Sequence, residues 1–271
     1  MPILDCIVAL FCRIDDAMAD VAKDPRALLW PSEVVTLAVL FAIKGKGPRP
    51  FYRWLKANYG HLFPRLPERT RLFRLFAVHQ DWADRFLAAP TLLGISDSYG
   101  VELIHPKREG RSDKQIGKKG KSNHRWIIGA KFCPLINSRG QIVDWDTEAA
   151  NVYDGDFQRM FADYADANKP ERAMGIYVDS GFHRSDKKGG DLPNLKICKR
   201  GQCNVRMLIE TLFSMLDHTF GFKKLTHRVW AYLEARMAFV AAAYNLLISW
   251  GGQLITNDNG YVQLSIAQFV L

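Results

Sequence analysis

Three acidic residues stand where a carboxylate is out of place. Asp97 lies in GISDSYG and Asp179 in IYVDSG, each directly after an apolar run, and Glu210 interrupts the apolar RMLIETLFSML. Asp-Ser-Gly is also turn chemistry, so either aspartate alone reads as readily as a turn former. Glu210 shares a narrow helical stripe with Cys203, Arg206, Ser214 and Asp217, which is either an edge touching water or the face of a site. Gathered together, three carboxylates would repel, and burying them uncompensated would cost several kcal/mol each. A divalent cation relieves both problems. Hard oxygen donors without a His or Cys set select Mg2+ or Mn2+ over zinc. Two such ions roughly 4 Å apart activate a water or a 3′-hydroxyl and stabilise the leaving oxygen at phosphorus.

The elements that must position these residues follow from texture. TLLGISDSYGVELI (91–104) reads as one strand. NHRWIIGAKFCPLIN and QIVDWDTEAA flank the turn Ser138-Arg139-Gly140 as a β-hairpin would. GDFQRMFADYADAN (155–168) reads as a helix starting near Asp154, RAMGIYVDSGFH and NLKICKRG as short strands, and two helices follow, the last from about Val229 to Trp250. Hairpin strands followed by crossover strands predict a mixed sheet covered by helices. If the strands bearing Asp97 and Asp179 are neighbours, the two acids emerge side by side, with Glu210 presented from the next helix.

Residues 1–90 read as helical throughout. Ser32 is the expected cap of EVVTLAVLFAIKG, GKGPRP (45–50) is a breaker, and Pro67 falls in the first turn of LPERTRLFRLFAVHQDWADRFL. Arg65, Arg69, Arg71 and Arg74 make this last segment basic, as in a helix-turn-helix module; a small bundle with a solvated basic side is the plain alternative.

At 271 residues, 48% apolar, the chain is long enough for a sizeable core. Its net charge of +9 suits a polyanionic partner, although a merely basic soluble enzyme has the same balance. Charge is concentrated in KREGRSDKQIGKKGKSNHR (107–125), where eight Lys or Arg face Glu109 and Asp113. Lys118, Lys119, Lys121 and Arg125 within it are candidate phosphate contacts of a loop, which otherwise is simply solvated. The five cysteines form no CxxC pair and, with no secretory signal, read as reduced thiols of a cytoplasmic protein. Cys198, Cys203 and His183 fit no standard zinc spacing. No apolar run is long enough to span a bilayer.

Taken in order, GISDSYG, KGKSNHRWIIGAKFCPLIN, ANVYDGDFQ, YVDSGFH, NLKICKRG, RMLIETLFSML and HRVWAYLEARMAFVAAAYNLL resemble a bacterial insertion-sequence transposase of the DDE type over nearly the whole chain. The resemblance implies an RNase H-like α/β domain over 91–271, preceded by a small helical DNA-binding module over 1–90. It carries the family's catalytic triad onto Asp97, Asp179 and Glu210, as ligands of two Mg2+ ions. It further implies cleavage at the element's ends and transfer of the 3′-hydroxyl into target DNA, with a homodimer in the synaptic complex and a place at the nucleoid.

Around the glutamate, many relatives carry Tyr, then Arg three residues on, Glu four later and Lys seven beyond. Arg206 and Glu210 match, whereas Cys203 and Asp217 depart, with Lys223 or Lys224 as replacements for the missing lysine. Arg206 reads either as a phosphate contact or as half of an ordinary helical ion pair. His183 reads as a DNA contact or a turn histidine. Rival readings are a nuclease with the same site but no strand transfer, a decayed or domesticated copy that only binds DNA, and a chain whose acids are caps and surface pairs.

Overall fold

The computed structural model describes residues 2–122, 125–166, 170–184, 189–198, 206–251, 255–256 and 262–263. Four helices come first: α1 (Ile3–Ala17), α2 (Pro31–Lys44), α3 (Pro48–Tyr59) and α4 (Arg69–Val78). The strands are β1 (Leu93–Ser96), β2 (Tyr99–Ile104), β3 (Lys118–Ser122), β4 (Arg125–Asn137), β5 (Ile142–Ala149), β6 (Gly175–Asp179) and β7 (Leu195–Cys198). A short α5 (Gln158–Phe161) precedes β6, and α6 (Met207–Phe220) and the long α7 (Trp230–Gly251) follow β7. Two-residue strands β8 (Ile255–Thr256) and β9 (Val262–Gln263) pair with each other.

The architecture is mixed α/β: N-terminal helices, then a seven-stranded open sheet flanked by helices. β4 is its organiser. Leu135 pairs with Ser96 and Asp144, and Gly129 with Glu102 and Lys118, so β1 and β2 share one edge of β4 while β5 and β3 share the other. β1 runs antiparallel to β4 and parallel to β6, and β6 is parallel to β7. Three strands converge at Gly129, where a Cβ would lie 1.9 Å from the Val101 carbonyl oxygen.

Two apolar clusters sit on the sheet's two faces. Cys133, Leu135, Val143, Ile176 and Val178 join Phe157, Phe161, Tyr164 and Phe182 in the smaller one. Ile95, Val101, Phe132, Ile136 and Ile142 belong to the larger, which continues through α6 and α7 into α1, α2 and α4. The first 90 residues therefore share one core with the C-terminal helices. α2 has twelve of fourteen residues buried, which makes it the centre of this core. α7 packs against α2, α4 and β5. Its Asn245 accepts from the Ile142 N–H (2.8 Å) and donates to the Phe86 and Ile142 carbonyls, and its Tyr244 hydroxyl donates to the Gly140 carbonyl.

Several local expectations need correction. α2 begins at Pro31, with Glu33 accepting from the Trp30 N–H at 2.7 Å, so Ser32 is a buried first-turn residue and not the cap. Pro48 starts α3, so the break is confined to Gly45-Lys46-Gly47, where Gly45 takes φ 63°. Pro67 precedes α4, whose cap is Glu68, and the helix ends at Val78 before a 3-10 segment over Gln80–Phe86. The 91–104 strand is broken in two at Asp97-Ser98. The basic 107–125 stretch is not all loop: Lys118, Lys119 and Lys121 lie on β3 and Arg125 opens β4. The helix expected over 155–168 is a succession of single turns from Asp154 to Tyr164, with 167–168 outside the described residues. Cys6, Cys12 and Cys133 are free, but Cys198 is disulfide-bonded, against the reading of five reduced thiols. Among the described residues, no helix is long and apolar enough to cross a membrane.

Candidate functional site

Strand register brings two of the three acids together. Ile95 of β1 is paired in parallel with Tyr177 of β6, and both contribute to the face covered by the larger cluster. Side chains alternate along a strand, so two residues further on Asp97 and Asp179 leave the ends of adjacent parallel strands on that same face. Ser96, one residue before Asp97, turns the other way and donates to the Pro134 carbonyl at 2.9 Å.

Backbone donors fix both carboxylates. The Ser98 N–H donates to Asp97 Oδ1 and the Gly181 N–H to Asp179 Oδ1, each at 2.8 Å. The turn chemistry read from Asp-Ser-Gly is therefore present at Asp179, and it orients the carboxylate as well as capping the turn. A cation stands beside the pair. Arg206, at the N-terminal cap of α6, donates from Nη2 to Asp97 Oδ2 at 2.9 Å, and the same nitrogen lies 4.0 Å from Asp179 Oδ2. Among the described residues, buried Arg206 Nε has no hydrogen-bond partner. Neither sequence reading of Arg206 anticipated this role: it bridges the two aspartates instead of pairing within its helix or standing free for a phosphate.

Burial pushes the Asp97 carboxyl up to about 6, and the neighbouring Asp179 charge adds to the rise, while the Arg206 guanidinium and the Ser98 N–H pull it down. The carboxyl group thus resists ionisation because it is buried and stands beside a second carboxylate, a rise that Arg206 only partly offsets. That is the environment in which a divalent cation gains most, and hard carboxylate oxygens suit Mg2+ or Mn2+.

The third acid is not gathered with them. Glu210 lies one turn into α6 on an exposed position, and among the described residues no three His, Cys, Asp or Glu side chains are placed to hold one metal ion. Asp97 and Asp179 are the pair whose oxygens suit a shared cation, and Glu210 is not brought beside them in this structure. The stripe noted in the sequence is divided. Arg206 and Asp217 reach the sheet, whereas Glu210 and Ser214 face water, and Cys203 lies outside the described residues.

Asp217, the position where a lysine was expected, has a structural occupation. Tyr99 of β2 donates its hydroxyl to Asp217 Oδ2 at 2.5 Å, and its ring stacks on Phe213 at 4.7 Å between centroids. Burial and the adjacent carboxylate hold the Tyr99 phenol well above its ordinary range, so it stays a donor.

Sequence reasoning overlooked Asp154 as a member of this neighbourhood. A Cβ on Gly181 would lie 3.0 Å from Asp179 Oδ1 and 3.4 Å from Asp154 Oδ2, so both carboxylates border the same glycine. Lys131 of β4 neutralises Asp154, with Nζ 2.7 Å from Oδ1. The only linear signal was the short ANVYDGDFQ motif. His183 is exposed and its Nδ1 lies 2.7 Å from Asp191 Oδ2, which gives it a nearby carboxylate partner.

The basic residues separate by role. Lys118, Lys119, Lys121, Arg125, Arg74 and Lys223 are exposed, and Lys119 lies over the Trp126 ring at 5.6 Å. Lys224 is engaged, with Nζ 3.2 Å from Glu102 Oε1, where the 223–225 backbone pairs alongside β2. Arg69 lines a cavity.

Comparison of the chain with protein-family models, with curated proteins and with solved structures finds no match in any of the three.

Proposed function

We propose that the protein is a DDE-type DNA transposase with an RNase H-like core. The observation that carries this reading is the pairing of Asp97 and Asp179 at the ends of adjacent parallel strands, in a sheet whose central path runs β5-β4-β1-β6-β7. That order, an antiparallel hairpin leading into a parallel half, is the one an RNase H-like core calls for. Asp97 and Asp179 hold the metal, and Glu210, on the helix that packs against β1, is the third carboxylate of the proposal. Mg2+ or Mn2+, as two ions by the family resemblance, supplies charge at phosphorus and a deprotonated nucleophile when bound. The chain's own contribution is orientation: backbone donors hold both aspartates, and the β1–β6 pairing fixes their spacing.

The net charge and the exposed lysines of β3 support a DNA substrate, with α4 and its arginines contributing to recognition of the terminal inverted repeats. Synapsis of two ends brings two copies together. The test is the set Asp97→Asn, Asp179→Asn and Glu210→Gln, each shown to be folded, in Mg2+-dependent cleavage of an element end. Each should lose cleavage; normal activity in any one removes that residue from the site. Joining of a pre-cleaved end separates a transposase from a nuclease.

The position of Arg206 and the exposure of Glu210 favour a second reading, a DNA-binding copy without catalysis. Site-specific binding with no metal-dependent cleavage by the unaltered chain would select it.

A further inference from the structure

Away from the acidic pair, a cavity of about 400 Å³ opens between α2, the starts of α3 and α4, the 226–229 segment and the first turns of α7. Its wall is aromatic: Phe41, Phe73, Phe76 and Phe239 line it. Its charge has one sign. Arg49, Arg69, Arg228 and Arg236 line it as well, and no Asp or Glu does. We propose that this cavity binds a small organic anion, a flat aromatic body carrying one acidic group.

The aromatic wall and the cations ask for different parts of the same ligand. A DNA backbone phosphate needs arginines but gains nothing from four phenyl rings, and a neutral hydrocarbon needs the rings but leaves the arginines idle. Arg236 is the extreme case. It is 2% exposed, its ring-facing guanidinium lies 4.3 Å from the Phe41 centroid, and it donates to the Phe41 and Ala42 carbonyls at the end of α2. Those carbonyls offset part of its charge, as a helix C-terminus does, but among the described residues its buried Nε has no partner. His227 Nδ1, on the same wall, is likewise buried with no hydrogen-bond partner among the described residues. Burial and the Arg236 charge hold His227 down to about 3, so it is neutral, while Arg236, lowered by burial to about 9, stays charged at neutral pH. The cavity also opens at the N-terminal end of a 22-residue helix, whose dipole favours negative charge.

Such binding is independent of the transposase reading and is tested without DNA. The full chain is titrated with anilinonaphthalene sulfonate, a fluorescent aromatic anion, and competed with naphthoate, with a nucleoside monophosphate, with naphthalenemethanol and with inorganic phosphate. Saturable binding should be displaced by naphthoate, and should weaken by at least about tenfold in the Arg49→Glu/Arg69→Glu variant, as expected when charge-assisted hydrogen bonds are removed. Thr70→Trp, which fills the cavity from an exposed position, should abolish it. Displacement by the nucleoside monophosphate at similar concentration would identify the aromatic body as a nucleobase; displacement by naphthoate alone would identify a free aromatic acid. Binding unchanged in both variants, or displaced equally by naphthalenemethanol or by phosphate alone, overturns the proposal.

Discussion

Arg206 and Asp97 are 109 residues apart in the chain, and their side chains meet at 2.9 Å at the open end of β1. The contact places a fixed guanidinium beside two carboxylates that the parallel pairing of β1 and β6 forces together. Arg206 thereby does for the pair, in part, what a bound cation would do. On the reading proposed above, a divalent ion would act on the same two carboxylates as this arginine, which would set the electrostatic background for its binding.

Replacing Arg206 with Gln should raise the Asp97 pKa above its present value near 6, because the guanidinium is one of the groups holding it down. At pH 8, where Asp97 is ionised, the variant should lose on the order of 1–3 kcal/mol of stability. At pH 5, with Asp97 protonated, the loss should be much smaller. Urea denaturation at the two pH values measures both. The same variant should gain more thermal stability from added Mg2+ than the unaltered chain does, and an equal gain would show that arginine and metal do not share the site.

Asp97 itself makes stability fall as pH rises. Its carboxyl titrates near 6 in the folded protein and at 3.8 when free, so the folded state holds an extra proton between those values. The contribution is complete below about pH 4, declines as the pH rises to about 6, and above that the ionised group costs on the order of 3 kcal/mol. Asp97→Asn should therefore stabilise the protein at pH 8 by about 1–3 kcal/mol and leave stability at pH 4 nearly unchanged. A variant less stable than the parent at pH 8 would show that the carboxylate is compensated in the folded state.

Tyr99→Phe removes the donor to Asp217 while keeping the ring stacked on Phe213. It should cost about 1–3 kcal/mol, because the carboxylate is left partly buried and Asp217 Oδ1 already lacks a partner among the described residues. Adding Asp217→Asn to it should recover part of the loss. Chemical denaturation of the two variants separates this structural role from one in DNA binding.

The lysines of β3 should act through phosphate charge. Lys118→Gln, Lys119→Gln and Lys121→Gln combined should weaken DNA binding similarly for all sequences. They should also reduce the slope of log K against log salt by up to about 3, close to one for each phosphate no longer neutralised. Binding isotherms at several salt concentrations give the slope directly. An unchanged slope would place the DNA elsewhere.

Local pattern alone determined much of this molecule. Alternation and turn residues located the β4–β5 hairpin, β6 and β7, and unbroken apolar texture located α7, because these signals act within a few residues. The acids at 97 and 179 were also legible, since a carboxylate after an apolar run is conspicuous in any strand. Only tertiary structure decided which partners those acids have. Register across β1 and β6 put Asp97 beside Asp179, and the approach of α6 delivered Arg206 to them while leaving Glu210 on an exposed position. Asp217 departs from the motif in sequence but has Tyr99 against it in the fold, and Asp154, legible only as a helix start, borders Gly181 beside Asp179. A helical stripe specifies which side chains share a face, but not how that helix is rotated and seated on a sheet. That rotation depends on packing by Ile209, Leu212 and Leu216 against strands more than a hundred residues earlier, and so it is absent from any local reading.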